Sequence, residues 1–440
     1  MIKKLFHGIR HLVIGIISLV LMGEILIAIN EYLLGEQAIY RFNSDRAGSP
    51  GSGEIDLPGP SNFTPSAPDP KDREKFYRYL TELYAPVVLQ KLGYKPQWDI
   101  PLFIDFDGNI DPRDNMQHEH SYRPLFAGVY GEVTAETEDA YYLLYSFYRT
   151  KDYDHPIREL ITNWTYHDND NEGFMIRVEK KTGAIRQAEG WFHNRFFLAN
   201  ETGDSNGSEP VQGRIYVEDK THIIIYGQSM GHGMRMAQSS DLKNLGKNVK
   251  IFRFRGDRPA VPAHADRKVQ FDCTYDLQNF DRWYFYAAKY SSPGETNPMF
   301  EGWIDIGKDA QGKPLRIARY IAGIDYSKFD GSRPKPPWSW DDHWDNVPIF
   351  VWHFFPAYAF KMHFGISFSQ HYLYNRPVDK TFGMDAEKLY PMLTPAMPKK
   401  TQNKWKKLFK EEKGPTQADY FKALGLWFKK YLNHLWVGLG

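Results

Sequence analysis

The sequence predicts a mainly β protein, a β-sandwich or paired antiparallel sheets, with an N-terminal transmembrane helix and a C-terminal amphipathic helix. Three observations predict it. Aromatic residues reach 16% of the 440 residues, with 28 Tyr, 29 Phe and 12 Trp, and such side chains favour pleated, half-buried surfaces. Short apolar runs separated by turn residues recur from Asp99 to about Arg376, a pattern of successive strands and not of a parallel α/β sheet. One long apolar run stands near the N-terminus. Charge adds exclusions: Lys+Arg 55 against Asp+Glu 54 leaves +1, which argues against a nucleic-acid binder and against an acidic disordered chain. The single cysteine, Cys273, excludes an internal disulfide framework and a Cys-based zinc finger.

In chain order, Leu12–Ile29 (LVIGIISLVLMGEILIAI) holds one charge, Glu24, in 18 residues, long enough to cross a bilayer with modest tilt. Lys3, Lys4 and Arg10 precede it, and Glu24, Glu31 and Glu36 follow. The positive-inside bias puts the N-terminus in the cytoplasm and the bulk of the chain on the extracytoplasmic, periplasmic side of the inner membrane. No small-x-small cleavage site follows the apolar run, which favours an uncleaved signal-anchor over a signal peptide. Residues 1–42 thus form the cytoplasmic tip and anchor. Residues 43–72 are rich in Pro, Gly and Ser without hydrophobic period and read as a linker. Residues 73–398 form the extracytoplasmic β domain, and residues 399–440 a basic amphipathic tail.

The domain opens on a helix. Phe76, Tyr79, Leu80, Leu83 and Val87 recur at helical spacing, and Pro86 predicts a break near Tyr84–Ala85. Strands follow at Ala140–Arg149, Gly173–Lys180, Gly190–Leu198, Arg214–Gly227 and Val249–Phe254. In the tail, Pro415 opens a helix whose Tyr420, Leu424, Trp427, Phe428, Tyr431 and Leu435 share one face. It either docks on the sheet or lies at a membrane interface.

Three stretches carry candidate chemistry. In His167-Asp168-Asn169-Asp170-Asn171-Glu172-Gly173, an extended chain directs Asp168, Asp170 and Glu172 one way and His167, Asn169 and Asn171 the other. Three carboxylates on one side call for a hard divalent cation, Ca²⁺, Mg²⁺ or Mn²⁺; the bland reading is an Asx-capped loop. Asp152, Asp154 and His155 lie upstream. The second stretch, Asp105–Asn115, begins like an EF-hand loop. It fails at Ile110, where glycine is needed, and at Met116, where Glu is needed, so it reads as an Asx-rich turn or, as the alternative, a metal loop of another kind. The third, Pro336–Asp345, places Trp338 and Trp340 beside Asp341, either a sugar platform or a buried plug. His222 and His232 are further candidates for completing a metal site. G-x-S-x-G, P-loop, H-E-x-x-H and Rossmann signatures are absent.

The His167 box resembles the heptapeptide G-H-R-H-D-W-E of the necrosis- and ethylene-inducing-peptide-like proteins. The resemblance places the family's first His on His167, its Asp on Asp170 and its Glu on Glu172, with Asp154 or Asp152 as the upstream acid. It implies a divalent cation on a β-sandwich. Asn169, Asn171 and Tyr166 depart from the motif. The box also resembles the H-x-N-D-x-E-G pattern of uncharacterised bacterial proteins distantly similar to Vps62-related proteins, over roughly Tyr84 to Ala359; that family has no settled activity to transfer. The expectation is a membrane-anchored binding protein for an envelope glycan, lipid headgroup or protein partner. The metal ligands are His167, Asp170, Glu172 and Asp154; the ligand contacts are Trp338, Trp340, Asp341 and His232. One rival is a metal-dependent hydrolase with Asp168 or His222 as general base. Another is a structural subunit of a membrane complex.

Overall fold

The computed structural model describes residues 53–119, 126–154, 167–192, 195–243, 245–246, 248–256, 273–289, 299–300, 302–309, 311–319, 333–340, 347 and 350–389. The chain divides into two compact units. Of the one made of residues 1–44, 154–165 and 415–440, Asp154 alone is described. The other, residues 45–153 and 166–414, carries every element below. The expected anchor Leu12–Ile29 and the tail helix from Pro415 lie outside the described residues. Among the described residues no helix is long and apolar enough to cross a membrane.

The strands are β1 (Gly53–Glu54), β2 (Val87–Lys91), β3 (Gly128–Thr137), β4 (Ala140–Asp152), β5 (His167–Glu179), β6 (Ile185–Phe192), β7 (Arg195–Asn200), β8 (Val211–Arg214), β9 (Tyr216–Glu218), β10 (His222–Gly227), β11 (Met234–Met236), β12 (Val249–Phe254), β13 (Cys273–Gln278), β14 (Gly302–Lys308), β15 (Pro314–Arg319) and β16 (Tyr372–Asn375). All but β14 and β15 join one 14-stranded sheet in the order β1-β9-β10-β2-β12-β13-β3-β4-β5-β6-β7-β8, with β11 on β10 and β16 on β3. The protein is mainly β, as expected, but the sheet is mixed and not antiparallel throughout. The pairs β1–β9, β2–β10, β12–β13, β13–β3 and β7–β8 are parallel. Several of these join strands far apart in sequence, where a long connection lets the chain re-enter in the same direction.

The sheet curls until distant strands meet. A Cβ built on Gly190 of β6 would lie 2.5 Å from the Met234 carbonyl oxygen of β11, so only glycine admits this approach. The curl encloses a core of Val88, Val133, Leu143, Tyr145, Phe174, Ile176, Ile225 and Phe252. The other face of β3–β7 presents Tyr130, Tyr142, Leu144, Tyr148, Met175, Trp191 and Phe196. These pack in one cluster with residues of helices Asp281–Lys289, Val351–Phe354 and Pro356–Phe364. Burial on both faces explains why Ala140–Arg149 reads as a continuous apolar run and not as an alternation.

The first helix spans Arg73–Leu83 and is capped by Asp72, whose side chain accepts from the Lys75 amide; Pro86 separates it from β2. The linker expectation is corrected from Gly53 onward. There β1 pairs with β9, Leu57 is buried, and Phe63 meets Phe254 edge-on at 5.8 Å. Glu218 accepts from the Leu57 amide at 3.1 Å and pairs with buried Arg253 at 2.8 Å. Sparse apolar residues suffice here because a prebuilt ion pair receives the backbone.

Candidate metal centre

The His167 box is the opening of β5. It pairs with β4 as Asp152↔His167, Lys151↔Asp168, Arg149↔Asp170, Tyr148↔Asn171 and Phe147↔Glu172. Asp170 and Glu172 share the inner face with Phe174 and Ile176, as alternation requires. Asn169 breaks the pattern with φ 62, in the left-handed region that Asn tolerates. Asp168 lies 3.2 Å from Lys151 Nζ. The two asparagines tie down neighbouring segments. Asn169 Oδ1 accepts from the Tyr148 hydroxyl, and its Nδ2 donates to the Pro112 carbonyl at 2.8 Å. Asn171 Oδ1 accepts from Ser146 Oγ at 2.7 Å, and its Nδ2 donates to the Lys335 carbonyl at 2.9 Å.

The acids on the inner face enter a buried polar cluster. His232 Nδ1 lies 3.0 Å from Asp170 Oδ2. Its Nε2 is 3.4 Å from Asp99 Oδ1 and makes no hydrogen bond. Asp99 accepts from the Gly93 amide at 2.7 Å, the Tyr153 hydroxyl at 2.8 Å and the Met230 amide at 2.9 Å. Arg149, fully buried, donates to Gln90 Oε1 at 2.7 Å and to the Asp99 carbonyl at 3.2 Å. Burial alone would raise the Asp170 carboxyl. The hydrogen bond and charge of His232, with His167 and Arg149, outweigh it and hold Asp170 below the ordinary carboxylate range.

At the mouth of this cluster His167 is about one-third exposed (31%). Its Nδ1 lies 3.0 Å from the Asp168 carbonyl oxygen. A carbonyl only accepts, so Nδ1 carries the hydrogen and a neutral ring presents its lone pair at Nε2. That atom faces Asp152 Oδ2 at 3.7 Å and Asp170 Oδ1 at 4.0 Å. Three electron-rich atoms therefore converge, and either a proton on Nε2 or a cation reconciles them. The structure thus brings together His167, Asp170 and the upstream acid Asp152. Glu172 is buried on the inner face, and Asp154 is also buried.

A second acid and histidine group lies on the Asp105–Asn115 stretch and the short helix after it. Asp107, Asp114 and His118 hold their ligand atoms within 4.8 Å of one another and could hold a metal ion. Here both ring nitrogens face carboxylates, Nδ1 to Asp107 at 2.5 Å and Nε2 to Asp114 at 3.7 Å. The hydrogen bond to Asp107 raises the His118 pKa, which fits an imidazolium bridging two acids. Asp107 also accepts from the Asn109 amide and side chain, and Asp111 caps the next turn through the Arg113 amide. That is the Asx-rich turn expected of the stretch.

The remaining candidates fall elsewhere. Trp338 and Trp340 are buried, and Trp340 stacks on Trp191 at 6.0 Å with an interplanar angle of 7°. A sugar platform needs an exposed ring face, so these rings are the buried plug; Asp341 lies outside the described residues. His222 is buried, which lowers its pKa, and its Nδ1 is held by the Ala85 carbonyl at 2.6 Å. Sequence reasoning missed Asp99 and Arg149, which carry no local motif. It also missed His118, whose i,i+4 spacing from Asp114 was a readable signal.

No family model matches the chain, and no curated protein matches it. Solved structures similar to it are toxin-fold proteins of the necrosis- and ethylene-inducing type, at low identity and partial coverage. One, described as a toxin fold for microbial attack and plant defence, shares 15% identity over 41% of this chain and 75% of that one, with TM-score 0.24. A second, NLPPya in complex with glucosamine, shares 16% identity over 42% of this chain and 75% of that one, with TM-score 0.24. A third, Necrosis and Ethylene inducing Protein 2 from the causal agent of cocoa's Witches Broom disease, shares 17% identity over 25% of this chain and 45% of that one, with TM-score 0.17. Scores this low carry no functional weight.

Proposed function

We propose that this chain is a membrane-anchored, extracytoplasmic β protein that binds an envelope partner through a divalent cation held by Asp152, His167 and Asp170. The observation that carries it is the approach of His167 Nε2 to two carboxylate oxygens, Asp152 Oδ2 at 3.7 Å and Asp170 Oδ1 at 4.0 Å. Hard ions of the Ca²⁺, Mg²⁺ or Mn²⁺ class suit this donor set. Their open positions would take hydroxyl, phosphate or carboxylate oxygens from a glycan, a lipid headgroup or an envelope protein. The hydrolase reading finds less support. Of its two general-base candidates, His222 is bonded to the Ala85 carbonyl and Asp168 is paired with Lys151. The membrane anchor rests on Leu12–Ile29 and its charge bias.

Metal analysis of the full chain purified in detergent tests the cation. Bound ion at 100 times its Kd stabilises the folded state by about 2.7 kcal/mol, so a chelator is expected to lower the melting temperature and added Ca²⁺, Mg²⁺ or Mn²⁺ to restore it. Absence of bound metal together with indifference to the chelator would refute the reading. A periplasm-active reporter at the C-terminus is expected to be active; a cytoplasmic signal would overturn the orientation.

A further inference from the structure

We infer that His232 is the positioning residue of this cation site, acting through Asp170; the inference rests on the cation reading above. A carboxylate can rotate and present either oxygen. The Nδ1–H of His232 occupies Asp170 Oδ2 at 3.0 Å, which leaves Oδ1 directed at His167. His232 itself is fully buried, so it meets no solvent-borne ligand. The loop that carries it is held in a costly conformation. Met230 and His232 stand at φ 70 and 49, a region disfavoured for residues with a side chain. The Met230 amide donates to Asp99 Oδ1 at 2.9 Å, and the Gln228 amide to the Gly233 carbonyl at 3.0 Å. Gly233 lies so close to the Phe192 ring that a Cβ there would sit 1.8 Å from it. Asp99, His232 and Asp170 thus form one line from the loop base to the mouth, and its last atom is a cation ligand. Outer groups that orient metal ligands in this way tune affinity without touching the ion.

The test titrates the full chain with Mn²⁺ and follows free ion by electron paramagnetic resonance. His232→Ala removes the donor, and the expected loss of Mn²⁺ affinity is about 10–100-fold. His232→Asn keeps an N–H near the Nδ1 position and tolerates the left-handed backbone, so it is expected to restore most of that loss. If the alanine variant fails to fold, His232→Gly removes the donor without the backbone penalty and is expected to show the same weakening. Wild-type affinity in a folded donor-less variant overturns the positioning role, as does an asparagine variant no better than the donor-less one. Failure of the wild type to bind Mn²⁺ overturns the cation reading itself, a distinct outcome.

Discussion

Arg149→Leu is expected to destabilise the protein by about 3–5 kcal/mol at neutral pH, because removing one partner of a buried charge cluster strands the others. Arg149 is the fully buried cation whose charge acts on Asp170, Glu172 and Asp99. Leucine fills part of the volume but removes the cation that acts on all three carboxylates. The pH dependence distinguishes this mechanism from a packing defect. In the wild type, Asp170 is held below its ordinary range. Its contribution is therefore present above the unfolded value of about 3.9 and fades as pH falls through the lower folded value. Without Arg149, burial pushes up the carboxyl of Glu172, while Asp170 keeps the larger influence of His232. A raised folded pKa stabilises only at low pH, and that stability is lost as pH climbs through it. The deficit of the variant should thus shrink from pH 7 to pH 5, measured by unfolding midpoints in chelator. A deficit that stays constant or grows toward pH 5 would show that packing, not charge, sets the cost.

Much of this cluster was legible as local pattern, and the parts that were not share a cause. The Arg73–Leu83 helix follows from helical spacing, and the Ala140–Arg149 and Val249–Phe254 strands from apolar, aromatic-rich runs within each segment. Gly190–Leu198 reads as one strand, yet it spans the end of β6 and most of β7, which pair antiparallel from Phe192↔Arg195; the two residues between the strands, His193 and Asn194, include neither Gly nor Pro. Arg214–Gly227 likewise breaks at Asp219 and Lys220, with φ 49 and 67, a turn made without glycine. The split roles of the box are also tertiary. Alternation correctly sends Asp170 and Glu172 to one face, but nothing local says that Arg149 waits there. Nor does it say that Asn169 and Asn171 on the other face hold Pro112 and Lys335. Asp99 and Arg149 sit on different elements and acquire meaning only when the sheet curls.

Asp170→Asn is expected to lower Mn²⁺ affinity of the full chain by more than the about 100-fold limit of an orienting partner, and Asp107→Asn to leave it unchanged. The pair of variants separates the two acid and histidine groups. Both replacements keep the side-chain size and remove one charge, so a general loss of negative potential would weaken both alike. At Asp170 the charge lost is a direct donor, and the asparagine oxygen can still accept from His232 while its amide turns a hydrogen toward the ion. At Asp107 the carboxylate already holds His118 and the Asn109 turn, and His118 offers its other nitrogen to Asp114 at 3.7 Å. An ion there would have to displace a ring proton of an imidazolium that holds Asp107 by a hydrogen bond and Asp114 by charge. Loss of Mn²⁺ binding in Asp107→Asn with retention in Asp170→Asn would move the cation to the Asp107, Asp114 and His118 group. The mouth at His167 would then be a protonated histidine bridging Asp152 and Asp170, and His232 the partner of a purely structural carboxylate.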